Sequence, residues 1–273
     1  MSIREYRLAS AEELDLVKTF ECGQCFRWNA DAAGVYTGVA YGHAAALFER
    51  GGEVFIRTDA PLALWREYFD LDRDYADISR SFLGKGGAYL DNCVDFGRGI
   101  RILRQEPWEA LCSFIISQCN NIKRIKGIVE RLCCGFGEKL EFDGRQYYSF
   151  PTAERLAECD EAALAPLRSG YRAAYIISAA RAVAYGGMDL AALIDCPYAE
   201  AKKALLGLNG VGEKVANCVV LFGLYHMEAF PIDVWIRRAL RENFPVGFNP
   251  ASLGEYAGLA QQYIFYFARE TAG

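Results

Sequence analysis

A glycine-bracketed turn in front of an apolar segment sets the strongest limit on how this chain can fold. Gly210 and Gly212 flank Val211, so the backbone there can turn tightly and leave peptide N–H groups exposed. The apolar run at residues 215–224 then predicts a helix that begins at this turn. Peptide N–H groups at the start of a helix attract anions, and a DNA phosphate is a natural candidate. Taken alone, the pattern is also typical of an ordinary connector between two helices.

Two charged residues near this turn indicate chemistry as well as anchoring. Lys214 lies in the first helical turn, where the helix dipole disfavours a cation, and Asp233 lies at the predicted start of a later helix. A lysine amine becomes a nucleophile when its surroundings favour the neutral form. An amine that attacks a sugar C1′ also needs a nearby carboxylate to orient it and to stabilise the developing positive charge. Taken singly, Lys214 is a solvated surface lysine and Asp233 a helix N-cap. Together they supply a nucleophile and a counter-charge.

Composition and charge limit the class of protein. The 273 residues are 52% hydrophobic, enough for a substantial core or two smaller ones, and the net charge is −5. That acidic balance argues against a protein that coats polyanions non-specifically, although helix N-termini or a local basic face can still bind phosphates.

Ten cysteines without a repeating spacing, behind a polar N-terminus, predict reduced thiols in an intracellular protein. Such a protein belongs in the cytoplasm or nucleoid of a prokaryote, or in the nucleus of a eukaryote. With only two histidines, a histidine-based triad or metal site is not expected, and no apolar run approaches the length of a membrane span.

The strand and helix patterns divide the chain into two units. Short strands are predicted at residues 36–40, 45–49 and 54–58, with Gly51-Gly52 as a hairpin turn. The pattern becomes helical from Pro61, and after Pro107 it is almost wholly helical, with a polar break at residues 117–121. An α+β fold follows, with an antiparallel β-rich domain and flanking helices at residues 1–100 and a helical domain at residues 101–273.

Five further motifs occur in a fixed order around the hairpin. They are Gly23-Gln24-Cys25-Phe26-Arg27-Trp28, Arg101-Ile102-Leu103-Arg104-Gln105-Glu106-Pro107, Asn120-Asn121-Ile122-Lys123-Arg124-Ile125, Gly170-Tyr171-Arg172-Ala173 and Tyr256-Ala257-Gly258-Leu259-Ala260-Gln261. With the hairpin, its lysine and the downstream aspartate, the chain resembles the helix-hairpin-helix DNA glycosylases, and among them the 8-oxoguanine DNA glycosylases. The resemblance implies an N-terminal sheet domain of the TATA-binding-protein-like kind, an all-α helix-hairpin-helix domain after it, and a lesion bound in the cleft between them.

The resemblance also implies a role for each matched residue. Lys214 is implied to form a Schiff base with the deoxyribose, and Asp233 to assist departure of the base. Gly23 would offer its carbonyl to the N7 proton that 8-oxoguanine has and guanine lacks. Phe265 and Cys218 would enclose the flipped base, and Gln261 would read its Watson–Crick edge. The implied base pocket is Gly23, Cys218, Pro231, Gln261 and Phe265. The implied DNA contacts are Asn120, Asn121, Arg124, Tyr171, Arg172, Gly210, Gly212, Val215 and Trp235. The carbonyls of Leu206, Leu208 and Val211 would be the ligands of a monovalent cation.

The implied activity is that of a bifunctional glycosylase and abasic-site lyase, which excises 8-oxoguanine from duplex DNA in base excision repair. It implies double-stranded DNA as partner, a monomer, no membrane and no required cofactor. An iron–sulfur cluster is not expected, because the last cysteine is Cys218 and the C-terminal segment has none. Two alternatives stay open. One is a monofunctional alkylpurine glycosylase of the same fold, in which water attacks and the lysine is absent; the presence of Lys214 argues against it. The other is a non-catalytic hairpin protein that only binds DNA.

The chain departs from the family pattern at three positions. Asn209 stands in the hairpin where proline is common, which modestly loosens the turn. Cys119 stands where the first of three asparagines is usual, so the resemblance does not fix the preferred base opposite the lesion. Trp235 stands where a histidine is common, although an indole N–H can still donate to an oxygen.

Overall fold

The first part of the chain is an antiparallel five-stranded sheet, in the strand order β1-β5-β4-β3-β2. The computed structural model describes residues 3–271. The strands are β1 (Arg4–Ser10), β2 (Asn29–Ala30), β3 (Tyr36–Ala40), β4 (His43–Arg50) and β5 (Glu53–Thr58). Strands β3, β4 and β5 confirm the three predicted strands, and Gly51 and Gly52 take positive φ angles of 63° and 78° at the predicted turn. Strand β1 was not predicted, because an irregularity between Arg7 and Ala9 interrupts its alternation.

One segment of the predicted helical part is a β-hairpin instead. Strands β6 (Lys139–Phe142) and β7 (Arg145–Tyr148) pair antiparallel around Asp143 and Gly144, which have φ angles of 53° and 69°. An Asp-Gly pair favours this type of hairpin, so the expectation of an almost wholly helical chain after Pro107 is wrong at these residues. Phe142 packs with Val39, Ala44 and Ala46, and the hairpin therefore covers one face of the five-stranded sheet.

Helices make up most of the rest of the chain. They are α1 (Leu16–Glu21), α2 (Leu62–Tyr68), α3 (Tyr75–Arg80), α4 (Gly87–Gly97), α5 (Pro107–Ser117), α6 (Ile122–Phe136), α7 (Ala153–Ala157), α8 (Glu161–Leu164), α9 (Arg172–Ala184), α10 (Tyr198–Leu206), α11 (Glu213–Phe222), α12 (Val234–Asn243) and α13 (Ala257–Glu270). The predicted α+β fold, with a sheet domain before a helical domain, is confirmed. Among the described residues, no helix combines the length and the apolarity needed to cross a membrane.

Two large cores lie on either side of the junction between sheet and helices. The second face of the sheet packs on α1 and α2 through the aromatic side chains of Phe20, Trp28 and Trp65, each 1% exposed or less. The other core lies among the helices and also takes Ile78 and Phe82 from the first hundred residues. Helix α4 packs against α13, and the predicted domain boundary at residue 100 stays a prediction.

A buried carboxylate joins the sheet domain to the helical domain. Asp70, just after α2, is 5% exposed and accepts hydrogen bonds from Arg73 Nε at 2.9 Å and from Arg104 Nη2 at 3.1 Å. The Tyr225 hydroxyl, just after α11, donates to the same carboxylate. Since a charge at this depth is stable only when its hydrogen bonds are satisfied, these contacts fix the end of α11 relative to the sheet.

Candidate active site

The predicted hairpin joins α10 to α11. The Val211 N–H donates to the Leu208 carbonyl at 3.1 Å, which closes the turn. Gly210 has a φ of 79°, and a Cβ atom there would overlap the ring of Tyr175, so the turn requires glycine for two separate reasons. Gly212 is the N-cap of α11, and within residues 3–271 no side chain caps this helix. The peptide N–H groups of the first turn, up to Val215, are therefore left for an external anion.

Lys214 lies in that first turn, with its side chain directed back toward α5. Its Nζ donates to Ser117 Oγ at 3.2 Å and lies 5.4 Å from the centre of the Phe114 ring. Cys218 follows one helical turn later and is 4% exposed. Burial raises the pKa of the Cys218 thiol, the charge of Lys214 acts against that rise, and the charge of Asp233 adds to it. The amine and the carboxylate are therefore both within electrostatic reach of one side chain.

Asp233 begins α12, as its position in the sequence predicts. Its Oδ1 accepts from the Ile236 N–H at 2.9 Å, which makes Asp233 the N-cap of that helix. No donor among residues 3–271 bonds its second oxygen, Oδ2, which remains available for a substrate or for the amine. The structural and the catalytic interpretations of Asp233 are compatible, because each uses a different carboxylate oxygen. Trp235, two residues later, is half-buried.

Three of the predicted pocket residues are in one place. Gly23 has a φ of 77°, and a Cβ atom there would lie 3.2 Å from Phe265 Cε1 and 3.7 Å from Ile122 Cδ1. Gln261 lies one turn before Phe265 on α13 and is 4% exposed. Its Oε1 is enclosed and accepts no hydrogen bond from the described residues. A buried acceptor without a donor is costly, and a ligand N–H is one way to satisfy it. Pro231 is buried in the segment between α11 and α12.

The polar break lies between α5 and α6, opposite the hairpin. Cys119 is exposed and has a φ of 46°. Asn120 donates from Nδ2 to the Ile116 carbonyl at 3.0 Å, and Asn121 caps α6 by accepting from the Arg124 N–H at 3.0 Å. Both asparagines therefore shape the break, and the Arg124 guanidinium bonds only weakly, to the Arg168 carbonyl at 3.4 Å.

The two predicted DNA contacts at the start of α9 differ in exposure. Tyr171 is 53% exposed, whereas Arg172 is 3% exposed. Arg172 donates to the Gln118 carbonyl from Nε at 3.0 Å, to the Ser169 carbonyl from Nη1 at 3.0 Å and to the Cys119 carbonyl from Nη2 at 3.2 Å. Arg172 thus stabilises the polar break through hydrogen bonds to its backbone carbonyls. Its contact with the base opposite the lesion stays a prediction.

The residues that join the polar break to the hairpin were not predicted from the sequence. Ser117 contacts Lys214, and Gln118 Nε2 donates to the Gly210 carbonyl at 3.1 Å. Tyr175 packs against the turn itself. Each pair is far apart in the chain, so no spacing could have revealed it, although the polar character of residues 117–118 at the end of an apolar helix was a signal.

The described residues offer few groups to a cation. Within residues 3–271, no set of three or more histidine, cysteine, aspartate or glutamate side chains converges. Of the three predicted carbonyl ligands, Leu208 already accepts one hydrogen bond within the turn. A carbonyl has two lone pairs, so a second interaction is compatible with that bond.

Two protein-family models match this chain, one over each of its two parts. Residues 7–111 match the family described as 8-oxoguanine DNA glycosylase, N-terminal domain, and residues 112–251 match the HhH-GPD superfamily base excision DNA repair protein family. A protein of Arabidopsis thaliana named N-glycosylase/DNA lyase OGG1 is 32% identical over 283 residues, spanning 93% of this chain and 77% of that protein. The chain belongs to the 8-oxoguanine DNA glycosylase family. The resemblance seen in the sequence is thereby confirmed.

Two other similar proteins show how far the likeness extends. The crystal structure of Clostridium acetobutylicum 8-oxoguanine glycosylase/lyase, in complex with double-stranded DNA containing cytosine opposite 8-oxoguanine, superposes with a TM-score of 0.89. It is 35% identical, and the match covers 99% of this chain and 98% of that one. The N-glycosylase/DNA lyase of Saccharomyces cerevisiae is 40% identical over 170 residues, which span 58% of this chain and 45% of the yeast protein.

Proposed function

We propose that this protein excises 8-oxoguanine from duplex DNA and then cleaves the strand at the abasic site, with Lys214 as the nucleophile. The observation that carries the proposal is the position of the Lys214 amine. Lys214 lies in the first turn of the hairpin helix, which no side chain among residues 3–271 caps, and its charge and that of Asp233 both act on the Cys218 thiol. The hairpin helix therefore carries both the anion site and the nucleophile, and Asp233 begins the helix that follows it.

The chemistry requires only these groups and the DNA. The Lys214 nitrogen forms a bond to C1′ as the glycosidic C1′–N9 bond breaks, and the base leaves with the electron pair of that bond. A proton lost by the lysine nitrogen balances the proton that the departing base gains. The sugar ring then opens to an imine, which acidifies the C2′ hydrogens. Loss of a C2′ proton expels the 3′ phosphate and nicks the strand.

Asp233 contributes in two ways. Its Oδ1 is held by the Ile236 N–H, so the carboxylate is fixed in position before the substrate arrives. A fixed negative charge stabilises the positive charge that develops on the sugar as the base departs, without reorganising at that moment.

The pocket around Gly23 supports an oxidised purine as the substrate. Gly23 lies against Phe265, and within residues 3–271 its carbonyl accepts no hydrogen bond. A carbonyl there attracts the N7 proton of 8-oxoguanine and repels the N7 lone pair of guanine. The unpaired Gln261 Oε1 can accept from the N–H groups on the Watson–Crick edge of a guanine-type base.

Borohydride trapping tests the proposed reaction. Wild-type protein with an 8-oxoguanine duplex should give a covalent adduct that migrates as protein joined to DNA, and a guanine duplex of the same sequence should give none. Lys214→Gln should form no adduct, and Asp233→Asn should release base slowly while still binding the duplex. The absence of an adduct with wild-type protein would refute the proposal. An equal yield of adduct from Lys214→Gln would refute the role of that lysine. Base release without an adduct, on methylated purines in preference to 8-oxoguanine, would identify a monofunctional alkylpurine glycosylase.

We also propose that the protein acts as a monomer without a required cofactor, because one chain supplies every group named above and the imine itself serves as the electron sink. The carbonyls of Leu206, Leu208 and Val211 are proposed to hold a monovalent cation near the bound phosphate. Excision should therefore be unchanged by EDTA, and replacing potassium with tetramethylammonium should weaken DNA binding at constant ionic strength.

A further inference from the structure

Ser117, the last residue of α5, lies between the candidate nucleophile and a helix carbonyl. Its hydroxyl donates to the Phe114 carbonyl at 2.8 Å, and its oxygen accepts from Lys214 Nζ at 3.2 Å. The hydroxyl has one proton and two lone pairs. Because the proton is committed to Phe114, Ser117 can act toward the lysine only as an acceptor.

The surroundings hold this serine in place. Phe114 is 2% exposed, and its ring stacks on Phe222 with the centroids 5.3 Å apart. Gln118, the next residue, bonds the hairpin through its side chain and Arg172 through its carbonyl. The end of α5 is thereby attached both to the hairpin that carries Lys214 and to α9, so the hydroxyl has little freedom to move away from the amine.

We propose that Ser117 is a positioning residue for Lys214, an inference that rests on the proposed function. A neutral amine has two N–H groups and one lone pair. If a neighbouring hydroxyl donated to the amine, it would occupy the lone pair that must attack C1′. Ser117 instead accepts an N–H, which restricts the rotamers of the lysine side chain and leaves the lone pair free. A hydrogen bond of this kind is worth enough to change the rate of attack by about 3- to 10-fold.

A purely structural role for Ser117 predicts different behaviour. Serine hydroxyls often bond the carbonyl three residues earlier, and Ser81, at the end of α3, makes the same bond to the Ile78 carbonyl at 2.6 Å. If Ser117 only completes the last turn of α5, its removal should lower stability as removal of the Ser81 hydroxyl does. It should then leave the reactivity of the bound enzyme unchanged.

The test compares Ser117→Ala, Ser117→Thr and the matched control Ser81→Ala under single-turnover conditions. Two substrates are used: an 8-oxoguanine duplex, and a duplex with a preformed abasic site, which needs no base recognition. For Ser117→Ala we expect base release and adduct formation at the abasic site both to fall about 3- to 10-fold, with an unchanged Kd for the duplex. Ser117→Thr keeps the hydroxyl, and a threonine can also bond an earlier helix carbonyl, so it should restore both rates to within about twofold. Ser81→Ala should match wild type.

The outcomes separate this inference from the proposed function. If wild-type protein forms no adduct with either substrate, the proposed function fails. If wild type forms the adduct and Ser117→Ala does so at the same rate, the positioning role is wrong. It is equally wrong if only the Kd changes, if Ser117→Thr is as slow as Ser117→Ala, or if the loss appears only with the 8-oxoguanine duplex. Thermal denaturation of each variant confirms that the compared proteins are folded.

Discussion

The two glycines of the hairpin provide a matched pair of substitutions, one expected to destabilise the protein strongly and the other hardly at all. Gly210→Ala places a Cβ on a residue with a φ of 79° and into the ring of Tyr175. Gly212→Ala places a Cβ on a residue with a φ of −95°, where nothing lies within 4 Å. The two positions are two residues apart and share the same turn, so a general effect of adding a methyl group cancels in the comparison.

The expected magnitudes follow from these surroundings. An L-residue in the left-handed region costs about 1–2 kcal/mol, and overpacking against a ring costs about 1–3 kcal/mol. Replacing a glycine also stabilises the folded state by about 0.4–1 kcal/mol, because the unfolded chain loses conformational entropy. Gly210→Ala should therefore lower the free energy of unfolding by about 1–5 kcal/mol, with about 3 kcal/mol as the central value. Gly212→Ala should change it by less than about 1 kcal/mol, since the unfolded-state gain offsets a poorer N-cap.

Urea denaturation followed by tryptophan fluorescence measures both variants, and a double-mutant cycle with Tyr175→Ala isolates the steric term. Without the ring, only the backbone strain of Gly210→Ala remains, so the double variant should be about 1–3 kcal/mol more stable than the sum of the single changes predicts. Equal losses for Gly210→Ala and Gly212→Ala would refute the reasoning. An additive cycle would show that Tyr175 does not restrict residue 210.

Gly23, Arg172 and Glu109 each make close contacts whose disturbance should be measurable. Gly23→Ala should slow excision about 10- to 100-fold in single-turnover assays while binding of undamaged DNA stays unchanged, because a Cβ 3.2 Å from Phe265 enters the pocket. Equal losses of excision and of DNA binding would contradict this prediction. Arg172→Met should lower the free energy of unfolding by about 2–4 kcal/mol, because it leaves the buried Ser169 carbonyl and the part-buried Cys119 carbonyl without their donor, whereas the exposed Arg80→Met should change it by less than about 1 kcal/mol. Burial raises the pKa of the Glu109 carboxyl to about 7 against the opposing charge of Arg27, so the folded state binds this proton more tightly than the unfolded state. Glu109 therefore stabilises the folded state below pH 4.5, and this contribution is lost as the pH rises through 7, by at most on the order of 3 kcal/mol. The measurement is the difference in free energy of unfolding between wild type and Glu109→Gln as a function of pH. A difference that stays flat across this window would contradict the prediction.

The sequence predicted the elements whose signals are local. The strands at residues 36–58, the hairpin glycines and the helix start at Asp233 each depend on neighbours within a few positions, and each lies where it was expected. The Asp143-Gly144 hairpin was also a local signal, but the surrounding helical pattern obscured it. Strand β1 was missed because its irregularity breaks the period of two.

The contacts that join distant segments could not be predicted in this way. The bond between Ser117 and Lys214 spans 97 residues, and that between Gln118 and Gly210 spans 92. Periodicity indicates which face of a helix is buried, but it does not identify the helix that covers it. The family resemblance supplied the pocket residues Gly23, Gln261 and Phe265, whereas Ser117 belonged to no motif and became visible only in three dimensions.

The hydrogen bonds of the polar break divide its residues by what they can offer to DNA. Asn120 uses both ends of its amide within the protein, since Nδ2 bonds the Ile116 carbonyl and Oδ1 accepts from the Asn121 N–H at 3.0 Å. Arg172, itself 3% exposed, is likewise committed to backbone carbonyls of the protein. Tyr171 is 53% exposed, and among the described residues the Arg124 guanidinium makes one long hydrogen bond, so neither side chain loses much by turning toward a duplex. We therefore expect Tyr171 and Arg124 to make the direct contacts, while Asn120 and Arg172 fix the shape that presents them. Because that shape also carries Ser117, a change at Arg172 should slow imine formation at Lys214 as well as weaken binding.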